Sequence, residues 1–437
     1  MLGGGMLDRY ALSPMKELWT LGAQYERWLA VELAALQALE ELGQVPEGTV
    51  AEVQARARVD LCRIQDVERQ VGHDLLAFLW TVEEQVGPAG RWLHLGLTSS
   101  DVKDTALALT LREALDILLG KADRLGRALW RLADDHRTVP MVGRTHGQYA
   151  EPTTFGLKVL VWYDELGRVS QRLSRARDAV SAGKLSGAVG TYAHFPLQAE
   201  ARALSLLGLE PCPVSTQVIA RDRHAEVVFA LAAAGSLVEK IALEVRHLCR
   251  SEVAEVAEGR PEGSSAMPHK QNPILSERLC GLARLLRSAL GPALEDNALW
   301  HERDMSHSSV ERVLLPQTCL AADYALDRAE RLVRSLVVFP DRMAAHLRDA
   351  GGLPYSEGLL LTLVRTGLSR QRAHRHVEGL CGRARREGRE LREVAGEDEL
   401  VAARLSPQQL AAVFDPEAAL RRVEAVFRRV SPPEQRV

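Results

Sequence analysis

The sequence predicts an all-α protein of three helical domains, the central one a bundle of long helices. Three observations carry that expectation. Proline is absent over 101–139 and over 225–259. Apolar residues in and between these stretches recur at the spacing that lines one helix face: Leu166, Val169, Leu173 and Ala176, then Val227, Leu231, Val238, Ile241, Val245 and Leu248. Alternating β-branched runs bounded by turns, the mark of strands, are nearly absent.

Residues 1–97 are read as an N-terminal helical domain. The central domain spans 98–340 and begins at Thr98-Ser99-Ser100-Asp101, which has the spacing of a capping box. The 225–259 stretch, as one helix, would run roughly 50 Å, far beyond an average helix. Asn272-Pro273 reads as a helix cap followed by proline at the first helical position, with Leu275, Leu279, Leu282, Leu285 and Leu286 behind it. Phe339-Pro340 and Gly351-Gly352-Leu353-Pro354 close the central part, and 341–437 is an arginine-rich helical domain ending in the frayed SPPEQRV. Long helices with wide apolar faces suggest a bundle that packs against copies of itself.

The chain has 437 residues, enough for two or three domains around a buried core. It is 46% hydrophobic and 26% charged with a formal net charge of −3. That balance argues against a general nucleic-acid or membrane-surface binder. No apolar run reaches the length of a membrane span, and MLGGGMLDRYALSPM lacks the pattern of a secretory signal. The six cysteines stand singly, without metal-ligand spacing, as expected of reduced thiols in a cytoplasmic protein.

Four polar islands interrupt the helical pattern. GHDLLAF carries His73 and Asp74 and is followed by GLTSSDVKDT (96–105); GRTHGQYAEPTTFG (143–156) carries Arg144 and His146. STQVIARDRHAE (215–226) is the third. GSSAMPHKQNP (263–273), Glu277 and WHERDMSHSSVER (300–312) make the fourth. Each has a plainer reading. TSSD is a helix cap, a lone histidine is more often structural than catalytic, arginines are solvated by default, and GSSAM is a flexible loop. Their joint occurrence at helix ends favours a site. They supply a histidine that trades protons near neutral pH, hydroxyls, and several cationic anion receptors. No triad spacing, phosphate-cradling glycine loop or dinucleotide fingerprint is present. The residues read as a cofactor-free, metal-free site for an anionic small molecule, with acid–base chemistry favoured over covalent catalysis.

GSSAMPHKQNP resembles the GSSxMPxKxNP signature of the fumarase/aspartase superfamily. GLTSSDVKDTA, GRTHGQYAEPTTFG, STQVIARDRHAE, LWHERDMSHSSVER, DRYALSPM and LPYSEGLLLTLVRTGLSRQRA look like the adenylosuccinate lyase family of bacterial type, from about Arg9 to about Phe427. The resemblance implies elimination of fumarate from two nucleotide–succinate substrates of purine synthesis. It implies a homotetramer with a twenty-helix core and active sites built from three subunits, without cofactor.

By the same resemblance Ser264 would be the general base and His146 the general acid, oriented by Glu277. Lys270 and Asn272 would bind the succinyl carboxylates, helped by Thr98, Ser99 and Ser265, with Met267 beside them in the loop. Arg9, Tyr10, Asp74, Gln217, Arg303, Ser308 and Arg312 would hold the rest of the substrate, and His73 would sit by the phosphate or assist proton transfer. The N-terminus of the helix after Asn272, with Lys270, would supply the positive potential that activates Ser264. The pattern departs at one place: a basic residue is expected before His73, where this chain has Gly72. If that cation grips phosphate, the grip must come from elsewhere. A carboxymuconate cycloisomerase shares the serine loop, but its substrate lacks the nucleotide that RDRHAE and WHERDMSHSSVER suit. Argininosuccinate lyase and fumarase fit the loop and not these islands. A lyase recruited as a structural lens protein would be expected to lose part of the Ser264, His146, Lys270 and Glu277 set.

Overall fold

A computed structural model of the chain describes residues 8–259, 262–263 and 267–433. The fold class holds: helices dominate, and the long ones are Leu21–Glu41, Ser99–Asp135, Phe155–Val180, Asp222–Leu248 and Ser306–Ser335. Ser99–Asp135 has 37 residues, which at the helical rise is about 55 Å. It starts where TSSD predicts. The Asp101 carboxylate reaches back to accept the Thr98 N–H at 2.8 Å, satisfying a donor that the helix leaves orphaned. No helix among the described residues is long and apolar enough to cross a membrane.

Two compact units are formed, one from 1–122, 168–238 and 280–327, the other from 123–167, 239–279 and 328–437. In the first, Tyr25, Trp28 and Phe78 pack ring on ring, with Tyr25 and Phe78 stacked at 5.8 Å and Trp28 edge-on to both. Ile64, Leu75, Val102, Leu185 and Phe195 close this core. In the second, the Arg370–Glu387 helix buries Ala373, Val377, Leu380 and Ala384, spacings of three to four residues that leave most of its arginines outside, while Arg383 donates to the Val394 carbonyl at 2.6 Å. Leu359, Leu363, Leu391 and Val394 complete that core.

The structure differs from the sequence reading in three places. GRTHGQYAEPTTFG contains an antiparallel hairpin, Pro140–Thr145 with Gln148–Thr154. Its two-residue loop is His146-Gly147, at φ +54° and +74°. Two left-handed residues match the twist of the strands, but His-Gly is a weaker signal than Asn-Gly. The helix begun at Asp222 ends at Leu248, short of Gly259. Ala254 turns left-handed at φ +47°, and Val256–Ala257 instead pairs with Val337–Val338. Asn272 is not a helix cap. It pairs with Glu262 in a two-residue ladder, and the Pro273 carbonyl takes the first helical bond, from Glu277 at 3.0 Å.

A buried carboxylate pins the segment that leads into the long helix. Glu32, 1% exposed, accepts the His94 backbone N–H at 2.9 Å and meets His94 Nδ1 at 2.7 Å. Burial is the largest influence on this imidazole and pulls its pKa down. The hydrogen bond and charge of Glu32, with Asp101, outweigh it and raise the pKa. A raised folded value means stability present in full below the unfolded value of about 6.5 and lost as pH climbs through the folded one. His94→Asn, which tolerates the left-handed φ of +59°, is therefore expected to lower the urea midpoint more at pH 6 than at pH 9. An equal gap at both pH values would remove the charge from this contact.

Candidate active site

In the first unit the organising feature is a pair of aspartates three residues apart on the Ser99–Asp135 helix. Asp101 and Lys184 are both fully buried and ion-paired, Nζ to Oδ1. Asp101 also accepts the Ser186 N–H at 3.1 Å and the Gly187 N–H at 3.2 Å. Lys184 donates onward to the Gln217 carbonyl at 2.9 Å. Asp104 accepts the Ile219 N–H and Arg221 Nη2, each at 2.9 Å. Burial pushes the Asp104 carboxyl up, yet the charge and hydrogen bond of Arg221 hold it below the ordinary carboxylate range. Glu311 lies 2.5 Å from His224 Nδ1 and 3.5 Å from Arg221 Nε. Ion pairs thus fix the 215–224 segment between the start of the 99–135 helix and the start of the 306–335 helix.

That scaffold carries most of the expected substrate-binding residues. Gln217 Oε1 accepts Arg303 Nη1 at 3.0 Å. Asp304 anchors the turn before the Ser306–Ser335 helix by accepting the N–H groups of Trp300 and Ser306, each at 2.7 Å. The Ser306 hydroxyl bond, the largest cause, and those N–H bonds lower its pKa to about 2. Ser308 and Arg312 follow in the first two turns. Arg312 Nη2 meets Asp74 Oδ2 at 3.0 Å, and Lys103 Nζ meets Asp74 Oδ1 at 2.6 Å. His73 caps the Asp74–Val86 helix, its Nδ1 accepting the Leu76 N–H at 3.2 Å. That bond places the ring proton on Nε2 and leaves this edge for another partner. Thr98 and Ser99 are half-buried at the helix start. Tyr10 packs edge-on against Tyr324 at 5.1 Å, next to an exposed Arg9.

In the second unit each residue of GRTHG has a separate task. A side chain at Gly143 would lie 2.7 Å from the Glu151 carbonyl, where the hairpin register shifts. Arg144 makes a bidentate pair with fully buried Glu255, at 2.9 and 2.8 Å, and His346 Nδ1 meets the same carboxylate at 2.7 Å. That brace leaves His146 exposed at the tip of the hairpin. In the signature stretch, Glu262–Gly263 pairs with Gln271–Asn272, and Met267 and Lys270 are exposed. Ser264 and Ser265 lie outside the described residues.

The helix after Asn272 does not offer its N-terminus freely. Glu258 accepts the N–H groups of Leu275 and Ser276 at 3.3 and 2.8 Å and the Ser276 hydroxyl at 2.6 Å. A carboxylate already offsets the positive end of this helix, leaving Lys270 as the cation that the sequence reading named. Among the described residues no hydrogen bond joins exposed His146 to exposed Glu277, and no group of histidine, cysteine, aspartate or glutamate is placed to hold a metal ion.

Sequence reasoning missed Asp104, Lys184, Glu311, Glu255, His346 and Glu258; the plainer reading of Arg221, a solvated surface charge, does not hold, since it is 2% exposed. One signal was available. Asp101 and Asp104 repeat at helical spacing beside Val102 and Ala106, so they share a buried face on which each needs a cation.

Residues 11–286 match the family described as Lyase, and 352–430 match the one described as Adenylosuccinate lyase C-terminus. The chain is 46% identical to adenylosuccinate lyase of Synechocystis sp. over 97% of this chain and 100% of that one. It is 45% identical to adenylosuccinate lyase of Thermotoga maritima, over 97% and 99%. Among solved structures it superposes on a fumarate lyase from Mesorhizobium sp. with a TM-score of 0.88 at 30% identity, covering 96% of this chain and 98% of that one. The 3-carboxy-cis,cis-muconate lactonizing enzyme of Pseudomonas putida gives the same TM-score and identity over 98% and 99%.

The buried pair makes a stability prediction. Lys184→Met strands the Asp101 carboxylate without its cation, which is expected to cost about 3–5 kcal/mol. Adding Asp101→Asn should recover much of that loss. Denaturant unfolding measures both, and a loss below about 1 kcal/mol for the single variant would show that Asp101 does not depend on Lys184.

Proposed function

The chain belongs to the adenylosuccinate lyase family of the fumarase/aspartase superfamily, carbon–nitrogen lyases, and from that premise we propose that it eliminates fumarate from adenylosuccinate to give AMP. The same site would cleave the succinylamino-carboxamide imidazole ribotide to its carboxamide. The observation that carries this reading is the grade of likeness. Whole-length identity to adenylosuccinate lyases stands well above identity to the muconate lactonizing enzyme of the same fold.

The chemistry assigns roles. Ser264, as alkoxide, removes a proton from the carbon beside a succinyl carboxylate. The electron pair moves into that carboxylate, and the doubly charged aci form needs cations and hydrogen-bond donors around it. Lys270, Asn272, Thr98, Ser99 and Ser265 answer that need, and Met267 lines the loop. The C–N bond then breaks as His146, oriented by Glu277, protonates the departing nitrogen. Arg303 with Gln217, and Arg312 with Asp74, hold the nucleotide portion together with Arg9, Tyr10, Ser308 and His73. Geometry within one chain supports the second half of this assignment through the Gln217–Arg303 and Asp74–Arg312 contacts.

His146 and Glu277 are both exposed, and we assign their meeting to assembly. The proposed unit is a cytoplasmic homotetramer with a twenty-helix core, each site drawing on three subunits. Along the chain the proposed domains are 1–97, 98–340 with the loop at 263–273, and 341–437. Exposed apolar side chains on the long helices, among them Val161, Phe229, Leu243 and Val313, are consistent with burial against other copies.

Purified protein incubated with adenylosuccinate should release fumarate. No release, with turnover of carboxymuconate instead, would replace this assignment by the cycloisomerase one. Ser264→Ala is expected to lower turnover about a thousand-fold with the fold intact. Full activity in that variant would take the base role from serine.

A further inference from the structure

Lys103 has no role in the assignment above, yet it lies among the groups expected to hold the nucleotide. It is one helical turn beyond Ser99 on the Ser99–Asp135 helix, so the two share a face. The other motif residues turn inward: Asp101 and Thr105 are fully buried and Asp104 nearly so. Lys103 keeps 23% of its side chain exposed. Its stem passes Trp28, with Nζ 5.4 Å from the ring centroid, and the ammonium ends 2.6 Å from Asp74 Oδ1.

Charge balance at Asp74 is uneven. One carboxylate serves both Lys103 and Arg312 and also accepts the Leu75 N–H at 2.8 Å. The pair of cations exceeds the single anion by one positive charge. Glu68 is the other carboxylate felt by the nearby Tyr25 hydroxyl, but among the described residues it ion-pairs with neither cation. Two ammonium protons of Lys103 and His73 Nε2–H remain to donate. Gly72, immediately before His73, contributes no side chain and sits at φ +66°. A donor-rich surplus of positive charge, with Lys103 partly buried and Arg312 open to solvent, fits a dianionic phosphate.

We propose that Lys103 is a substrate-binding residue that, with Arg312 and His73 Nε2–H, grips the phosphate of the nucleotide and supplies the cation absent at position 72. The assignment of that phosphate to a nucleotide–succinate rests on the function proposed above.

Lys103→Met tests it. Asp74 keeps Arg312 and the Leu75 N–H, so the variant should fold. Inorganic phosphate and AMP, titrated calorimetrically, should bind the variant at least about tenfold more weakly, the loss of one charge-assisted contact. The KM for adenylosuccinate should rise by a similar factor with kcat little changed. The KM for its phosphate-free nucleoside analogue should stay put, and Lys103→Arg should recover most phosphate affinity. Unchanged phosphate and AMP affinity in Lys103→Met would overturn the proposal. Equal losses on both substrates would overturn it too, reducing Lys103 to a prop for Asp74. The titrations need no turnover, so they decide the role of Lys103 even if the parent protein releases no fumarate.

Discussion

Two carboxylates three residues apart, Asp101 and Asp104, govern the first unit. Each is buried, each takes a cation, and each also accepts backbone N–H groups from the segment that it holds. Buried ion pairs of this kind contribute little net stability beside an apolar replacement, but losing one partner is costly. They specify geometry. Lys184 binds both Asp101 and the Gln217 carbonyl, so the start of the long helix and the segment bearing Gln217 share one register. Glu311 extends the arrangement to the helix that bears Ser308 and Arg312.

The second unit repeats the device with different residues. Glu255 takes Arg144 and His346, bracing the hairpin that presents His146. Glu258 takes the first N–H groups of the helix that bears Glu277. In both units the exposed or half-buried polar residues expected to meet substrate sit on backbone that buried polar residues hold. The side chains proposed to meet substrate can point outward because buried ion pairs and hydrogen bonds hold the backbone beneath them.

Much of the fold was legible because helical periodicity is a local signal. Apolar stripes and the TSSD cap placed three of the five long helices, those over 99–135, 155–180 and 222–248, and the start at Ser99 follows from one side chain reaching back three residues. What escaped was either set by turn chemistry or by partners distant in the chain. His146-Gly147 folds a hairpin without the Asn-Gly pair that announces one. Glu258 displaces Asn272 from the cap because its carboxylate comes from an earlier segment. Lys184 and Arg221 look like surface cations until Asp101 and Asp104 are placed against them, which no spacing in the sequence declares. Gly72 was legible as a missing charge. Lys103, thirty-one residues later in the chain, became a candidate for it only when its ammonium was seen on Asp74.

We propose that this chain breaks a carbon–nitrogen bond by taking a proton from the neighbouring carbon, so that the reverse reaction returns a solvent proton to that carbon. Running the reaction backwards in deuterium oxide makes that proton visible. AMP and fumarate should combine to adenylosuccinate bearing one deuterium on the carbon that receives the proton, seen by mass spectrometry and by the coupling pattern of the succinyl protons. Adduct without deuterium, or no adduct from AMP and fumarate while other unsaturated acids react, would contradict it.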